Sequence, residues 1–267
     1  MHIFNNGKYK SILAAASGEL AEIAQTVQKD TNFRPHFHIA PPTGLLNDPN
    51  GLIFDGEKYH LFYQWFPFDA LHGMKHWKHL ITEDFQHYQS ADDLIPSELF
   101  ESHGCYSGGA IIWQEQIVAF YTGNTRNAEN QRIPHQNMAI FSKEGKLLSK
   151  RCLLNQAPKG YTEHVRDPKI WREADGSYGI ILGAQRADLS GTALYLTSKD
   201  ARDWQLHGEI DTAQPSFGYM WECPDYFPLD GRDIFLCCPQ GLPADGDRCR
   251  NLYQSGYFLG HFDKAAC

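Results

Sequence analysis

The sequence predicts an all-β protein, a β-propeller assembled from repeated units, with one short helix ahead of it. Three observations predict it. From Leu46 onward, short apolar runs alternate with Gly, Asp and Asn punctuation, and helix signals are few. A turn-then-strand unit recurs, with Phe62, Phe120, Ile181 and Leu236 at matching places, 58, 61 and 55 residues apart. A second unit follows: an apolar pair, then Ser or Thr, then acidic or turn residues. Its markers Thr82, Ser142 and Ser198 are 60 and 56 apart. All-β units of this size cannot bury a face alone and read as blades around an axis. The 222 residues from Leu46 to Cys267 hold about four of them.

Taken in order, residues 11–29 read as an amphipathic helix, with Leu13, Leu20, Ile23 and Val27 at helical spacing. It is assigned to packing, without chemistry. The expected division is a helical extension over 1–33 and a propeller over 34–267. Arg34-Pro35-His36-Phe37-His38 is an extended lead-in. His36 and His38 are assigned a structural or ligand-contacting role, because no third metal ligand is near in sequence. In Asn47-Asp48-Pro49-Asn50-Gly51, Pro49 pushes Asp48 toward an extended backbone. Asn50-Gly51 offers a turn or a place where only a small residue fits. The turn-strand units then begin at Gly56, Gln116, Gly176 and Gly231.

Composition narrows the function. The 267 residues are 42% hydrophobic and 21% charged, enough to bury a core. Net charge is -8, and Lys and Arg are scattered, so nothing resembles a nucleic-acid footprint. No stretch approaches a membrane span, and the short apolar run Ile12–Ala16 makes a poor signal peptide. The seven cysteines follow neither zinc nor disulfide spacing. Cys237 and Cys238 read as buried thiols, and the compartment as reducing and cytoplasmic.

The phase of the repeats carries the chemistry. Asp48 lies 14 residues before Phe62, Asp167 14 before Ile181 and Glu222 14 before Leu236. The same offset from Phe120 reaches Tyr106, beside Ser107. Equal phase in a propeller means equal position in the blade. On innermost strands, three carboxylates would therefore meet at the axis. Ionising them together is costly, and glycoside hydrolysis gives such a cluster a purpose. One carboxyl group protonates the leaving oxygen, a second acts opposite, and a third holds sugar hydroxyls. Arg166 is expected to help keep Asp167 ionised, and a raised pKa on one of the three to supply the acid. Among nearby aromatic residues, Trp77 is taken as a wall for a sugar face.

These motifs carry a resemblance. Asn47-Asp48-Pro49-Asn50-Gly51, Arg166-Asp167-Pro168 and Glu222-Cys223-Pro224, in this order, resemble the three signatures of glycoside hydrolase family 32. Tyr63-Gln64-Trp65, His76-Trp77-Lys78-His79 and Tyr106-Ser107-Gly108 extend the likeness, which runs from about Arg34 to the C-terminus. The resemblance implies a five-bladed propeller followed by a β-sandwich. On that pattern the chain holds about four blades, without the sandwich, as a truncated product would. It implies a retaining β-fructofuranosidase acting on sucrose or sucrose 6-phosphate. Asp48 would be the nucleophile, Glu222 the acid and base, and Asp167 the transition-state stabiliser. Asn47, Gln64, Trp77, Tyr106, Ser107 and Arg166 would bind the substrate. A retaining mechanism requires Asp48 and Glu222 about 5–5.5 Å apart. No metal or organic cofactor is required, since two carboxylates and water suffice. The implied partner is a small sugar, with neither nucleic acid nor membrane. Phe66, Lys78 and Gly109 depart from the family pattern around the leaving group.

Two other readings stand beside this one. An inverting arabinan-type glycosidase also needs three carboxylates, at wider separation. A propeller short of a full ring could bind carbohydrate without turnover.

Overall fold

Each sequence repeat folds as an antiparallel meander, in a computed structural model that describes residues 7–214 and 217–264. Blade 1 is β1 (Leu45–Phe54), β2 (Tyr59–Phe66), β3 (His76–Thr82) and β4 (Gln89–Ser90). Blade 2 is β5 (Cys105–Trp113), β6 (Gln116–Arg126), β7 (Arg132–Phe141) and β8 (Leu147–Leu154). Blade 3 is β9 (Tyr161–Arg172), β10 (Tyr178–Arg186), β11 (Gly191–Ser198) and β12 (Gln205–Glu209). Blade 4 has three described strands, β13 (Met220–Leu229), β14 (Arg232–Gln240) and β15 (Gly256–Gly260). Within each blade the strands pair in chain order. Phe62, Phe120, Ile181 and Leu236 all lie on the second strand of their blade, so the repeat read from sequence is the blade.

First strands pack on first strands: β1 on β5, β5 on β9 and β9 on β13. They therefore surround the axis. The core lies between blades, because alternate residues of one strand face opposite neighbours. On β6, Ile117, Ala119 and Tyr121 join Phe62 and Trp77 of blade 1. Val118 and Phe120 join Val165, Ile180 and Leu182 of blade 3. Trp221 and Phe235 close on Ile181 and Tyr195 in the same way. Full burial of one such side chain contributes about 1.5–3 kcal/mol. No blade is complete alone, as its size implied.

The N-terminal segment departs from expectation. Instead of one helix over 11–29, Ile12–Ala14 is a single 3-10 turn and α1 spans Glu19–Gln28. Gly18 separates them, with φ of 84° at the helix N-cap. α1 buries none of its residues. The contacts come from the segment before it. The Ile12 N–H donates to His76 Nε2 at 3.1 Å, and Tyr9 packs edge-on to His103. His36 and His38 are exposed. Cys237 is buried and Cys238 half-buried, and the described cysteines are free thiols. Among the described residues, no helix is long and apolar enough to cross a membrane.

Candidate active site

All four inner strands break their ladder at the same level. Leu46 pairs with Trp65 and Pro49 with Tyr63, so Asn47-Asp48 oppose Gln64 alone. Tyr106-Ser107 oppose Thr122, Asp167-Pro168 oppose Leu182, and Cys223-Pro224 oppose Cys237. Each is a β-bulge, which bends the strand and re-aims a side chain. The sequence motifs are thus the bulges of four consecutive blades. Proline suits such a place because the ladder asks no N–H of it. Asp167 and Cys223 take the left-handed conformation, with φ of 65° and 46°. Their N–H groups leave the ladder for other acceptors: Asp167 N donates to Thr122 Oγ1 at 2.9 Å, and Cys223 N to Asp167 Oδ2 at 2.9 Å.

The ladder corrects the equal-phase expectation by one residue. By position in the bulge, the counterpart of Asp167 is Asn47 in blade 1 and Cys223 in blade 4, so Asp48 aligns with Pro168 and Glu222 with Arg166. The cause is hairpin length. Asp230-Gly231 is a two-residue turn, whereas Glu173–Ser177 makes a five-residue loop in blade 3. Convergence survives the slip, because Arg166 and Glu222 face each other across adjacent inner strands.

Asp48 is half-buried and held by donors. Ser107 Oγ donates to Asp48 Oδ2 at 2.6 Å, and Asn47 Nδ2 to Oδ1 at 3.2 Å. Gln64 organises both donors: its Oε1 accepts from Asn47 Nδ2 at 2.6 Å and its Nε2 donates to Ser107 Oγ at 2.6 Å. Lys75 Nζ donates to Asn47 Oδ1 at 2.7 Å. Lys75 is buried, and that burial pulls its pKa down to about 8 against the pull of Asp48. Asn50 fastens the two inner strands, accepting from Gly108 N at 3.0 Å. Asn50-Gly51 is not a turn here. It lies within β1, and Gly51 has φ of 52°, where an added Cβ would meet Phe62 at 3.0 Å.

Arg166 joins the other two carboxylates. Its Nη2 donates to Glu222 Oε1 at 2.8 Å, and its Nε lies 3.8 Å from Asp167 Oδ2. Its Nη1 donates to His164 Nδ1 at 3.0 Å, and burial keeps that imidazole neutral by lowering its pKa. Burial raises Asp167 to about 6, with Arg166 and the Cys223 N–H opposing and Glu222 and Asp48 assisting. Arg166 thus acts on Asp167 in the expected direction, toward the ionised form, but desolvation outweighs the guanidinium. The axial cavity holds about 270 Å³ and is lined by Asp48, Ser107, Asp167 and Cys223 with the residues after them on each inner strand. A larger cavity of about 440 Å³, walled by Ile181, Phe235 and Phe258, lies away from this cluster.

The structure thus brings together Asp48, Asp167, Glu222, Asn47, Gln64, Ser107 and Arg166. Tyr106 lies in the bulge beside Ser107, and burial raises its phenol pKa. Trp77 is not a wall of the cavity. It is fully buried against Phe62 and Tyr121, and its Nε1 donates to the Tyr106 carbonyl at 3.2 Å. Sequence reasoning missed Lys75, Thr122 and His164. Thr122 had a signal, because it opposes the Tyr106-Ser107 bulge as Gln64 opposes Asn47-Asp48. Lys75 had none.

Comparison with known proteins agrees with this geometry. Residues 38–267 match the glycosyl hydrolases family 32 N-terminal domain. The sucrose-6-phosphate hydrolase of Bacillus subtilis is 43% identical over 250 residues, covering 92% of this chain and 52% of the relative. That of Staphylococcus xylosus is 40% identical, covering 90% and 50%. The solved sucrose-6-phosphate hydrolase of Lactobacillus gasseri superposes with a TM-score of 0.90 at 30% identity, over 98% of this chain and 55% of that one. A Bombyx mori beta-fructofuranosidase superposes at 0.78 and 35% identity, over 91% and 52%. The chain spans about half the length of the curated relatives it matches. With its three carboxylate motifs on three of its four inner strands, the chain belongs to family 32 of the glycosyl hydrolases.

Proposed function

We propose that the chain carries the catalytic site of a retaining β-fructofuranosidase, which hydrolyses the terminal β-fructofuranoside bond of sucrose or a phosphorylated sucrose. The observation that carries the reading is the division of labour around the carboxylates. Asp48 accepts hydrogen bonds from Ser107 and Asn47, which fix the carboxylate as a nucleophile must be fixed. Glu222 stands across the site on β13, in contact with Arg166. Asp167 lies buried between them on β9.

In the first step an Asp48 oxygen attacks the anomeric carbon of the fructosyl group. The bond to the leaving oxygen breaks, and Glu222 gives that oxygen its proton. In the second step Glu222 takes a proton from water, the water oxygen attacks the same carbon, and Asp48 is released. Fructosyl hydroxyls offer Arg166 acceptors besides Glu222. Asp167 holds those hydroxyls as positive charge develops on the ring. Asn47, Gln64 and Ser107 fix Asp48, while Tyr106 shapes the rim. The reading also keeps the protein in a reducing, cytoplasmic compartment, supported by its free thiols.

The test is hydrolysis of sucrose and sucrose 6-phosphate by the purified chain, with the first-formed anomer followed by NMR. Retention of configuration is expected, and Asp48→Ala should lower kcat on the order of 10⁴-fold with the fold intact by circular dichroism. Substantial activity in Asp48→Ala would overturn the roles. Inversion would point to the arabinan-type chemistry, and sugar binding without turnover to a carbohydrate-binding propeller.

A further inference from the structure

Blade 2 carries positive charge that its neighbours leave unanswered. Arg126 ends β6 and Arg132 begins β7, and the ladder sets them directly opposite each other. Like charges so placed destabilise a hairpin. The chain has a net charge of -8, so acids are plentiful. Yet among the described residues no carboxylate stands within ion-pair distance of either guanidinium.

Strand alternation aims both arginines toward blade 3. Thr122 and Gln136, on the same faces of β6 and β7, bond to Asp167 N and to the Val165 carbonyl. Arg132 is partly buried, and burial together with Arg166 and Arg126 lowers its pKa. Two residues before Arg126, and on its face of β6, Asn124 is 1% exposed. Neither its Nδ2 nor its Oδ1 has a hydrogen-bond partner, and Arg126 Nε is also buried without an acceptor. Buried donors left unmade cost stability. Arg126 gives its Nη1 to the Asn130 carbonyl at 2.7 Å, which leaves its charge without an anion. The buried, unmade polar groups beside two guanidiniums without a carboxylate mark a place suited to an oxyanion. The planar guanidinium fork suits the tetrahedral oxygens of a phosphate group.

We propose that Arg126 and Arg132, backed by Asn124, form a pocket for a phosphate monoester on the leaving sugar. The inference rests on the fructosidase reading above. Arg166 fixes the side: it bonds Glu222, the proton donor to the leaving oxygen, and stands within electrostatic reach of Arg132. A phosphate here belongs to the departing sugar and not to the fructosyl group held at Asp48. The arginines set which β-fructoside is preferred and take no part in bond breaking.

Two measurements test this on the full chain. The first compares steady-state kinetics on sucrose and sucrose 6-phosphate for the native chain, Arg132→Gln and the Arg126→Gln/Arg132→Gln double variant. KM for sucrose 6-phosphate should rise roughly tenfold to a hundredfold, while sucrose kinetics stay within about twofold. The second titrates glucose 6-phosphate, glucose and inorganic phosphate against thermal unfolding. Glucose 6-phosphate should raise Tm of the native chain, glucose should not, and the double variant should lose the response. A shift with inorganic phosphate equal to that with glucose 6-phosphate would overturn recognition of a sugar ester. Unchanged KM and unchanged Tm response in the double variant would overturn the pocket. If the native chain hydrolyses neither sugar, the fructosidase reading falls, while the glucose 6-phosphate titration still decides the pocket.

Discussion

Asp167 shows how one residue sets both stability and charge at the axis. Its folded pKa of about 6 lies above the ordinary 3.8 of an aspartate. The sign follows from proton uptake: between these values the native state holds more protons than the unfolded chain, so stability falls as pH rises. The loss begins above the unfolded pKa and is complete above about pH 6. A shift of this size corresponds to roughly 3 kcal/mol. Asp167→Asn removes the titration and keeps an acceptor for the Cys223 N–H. The stability difference between native chain and variant, read by urea unfolding, should therefore drift by about that amount between pH 4 and 7. A difference independent of pH would contradict the buried carboxylate. Lys75 works in the opposite sense for an ammonium: burial lowers its pKa, so its share of stability rises with pH from about 8 upward.

At the scale of the element, the bulges and the glycines beside them decide how closely blades approach. A Cβ on Gly183 would lie 2.0 Å from the Trp221 carbonyl oxygen of the next blade, and within blade 2 one on Gly108 would lie 1.9 Å from that of Phe120. Neither neighbour can swing away, because both are backbone. Gly183→Ala is expected to cost on the order of 3 kcal/mol in chemical denaturation, by forcing blade 4 from blade 3. A cost near zero would show that the contact yields. This scale also explains what the sequence made legible. The blades were readable because Phe62, Phe120 and Ile181 must be apolar to fill the gaps between sheets, and burial writes a period. The bulge motifs were readable because Pro and Asn mark a broken ladder. The one-residue slip at Glu222 was hidden, since hairpin length is not fixed by the motif it precedes. Trp77 was misread for a related reason: its neighbours in sequence are polar, but the pleat turns its ring into the core. Lys75 was invisible because only the fold brings it to Asn47, whereas His164 stands two residues before Arg166 on one face of β9 and was open to a period-of-two reading.

Across the whole molecule, support is uneven. β6 and β10 are covered on both faces, with Phe120, Tyr121, Ile181 and Leu182 almost fully buried. β15 exposes Tyr257 and Leu259. Among the described residues, β13 and β1 do not pack on each other as the successive inner strands do. Opening should therefore cost least in blade 4. Hydrogen exchange followed by mass spectrometry should find the slowest amides in β6 and β10 and the fastest strand amides in β15. Equal protection throughout would mean that the four blades open as one unit.

The polar chain from Lys75 through Asn47, Gln64 and Ser107 to Asp48 crosses from blade 1 to blade 2. Its anchors sit on β1, β2 and β5 and on the residue before β3, so a slide of blade 1 past blade 2 would stretch the links to Ser107. The Asp48 carboxylate is in effect wired as a strain gauge for the seam its bonds span. Substitutions deep in that seam, far from any sugar, should register first as a misaimed Asp48 and only later as unfolding.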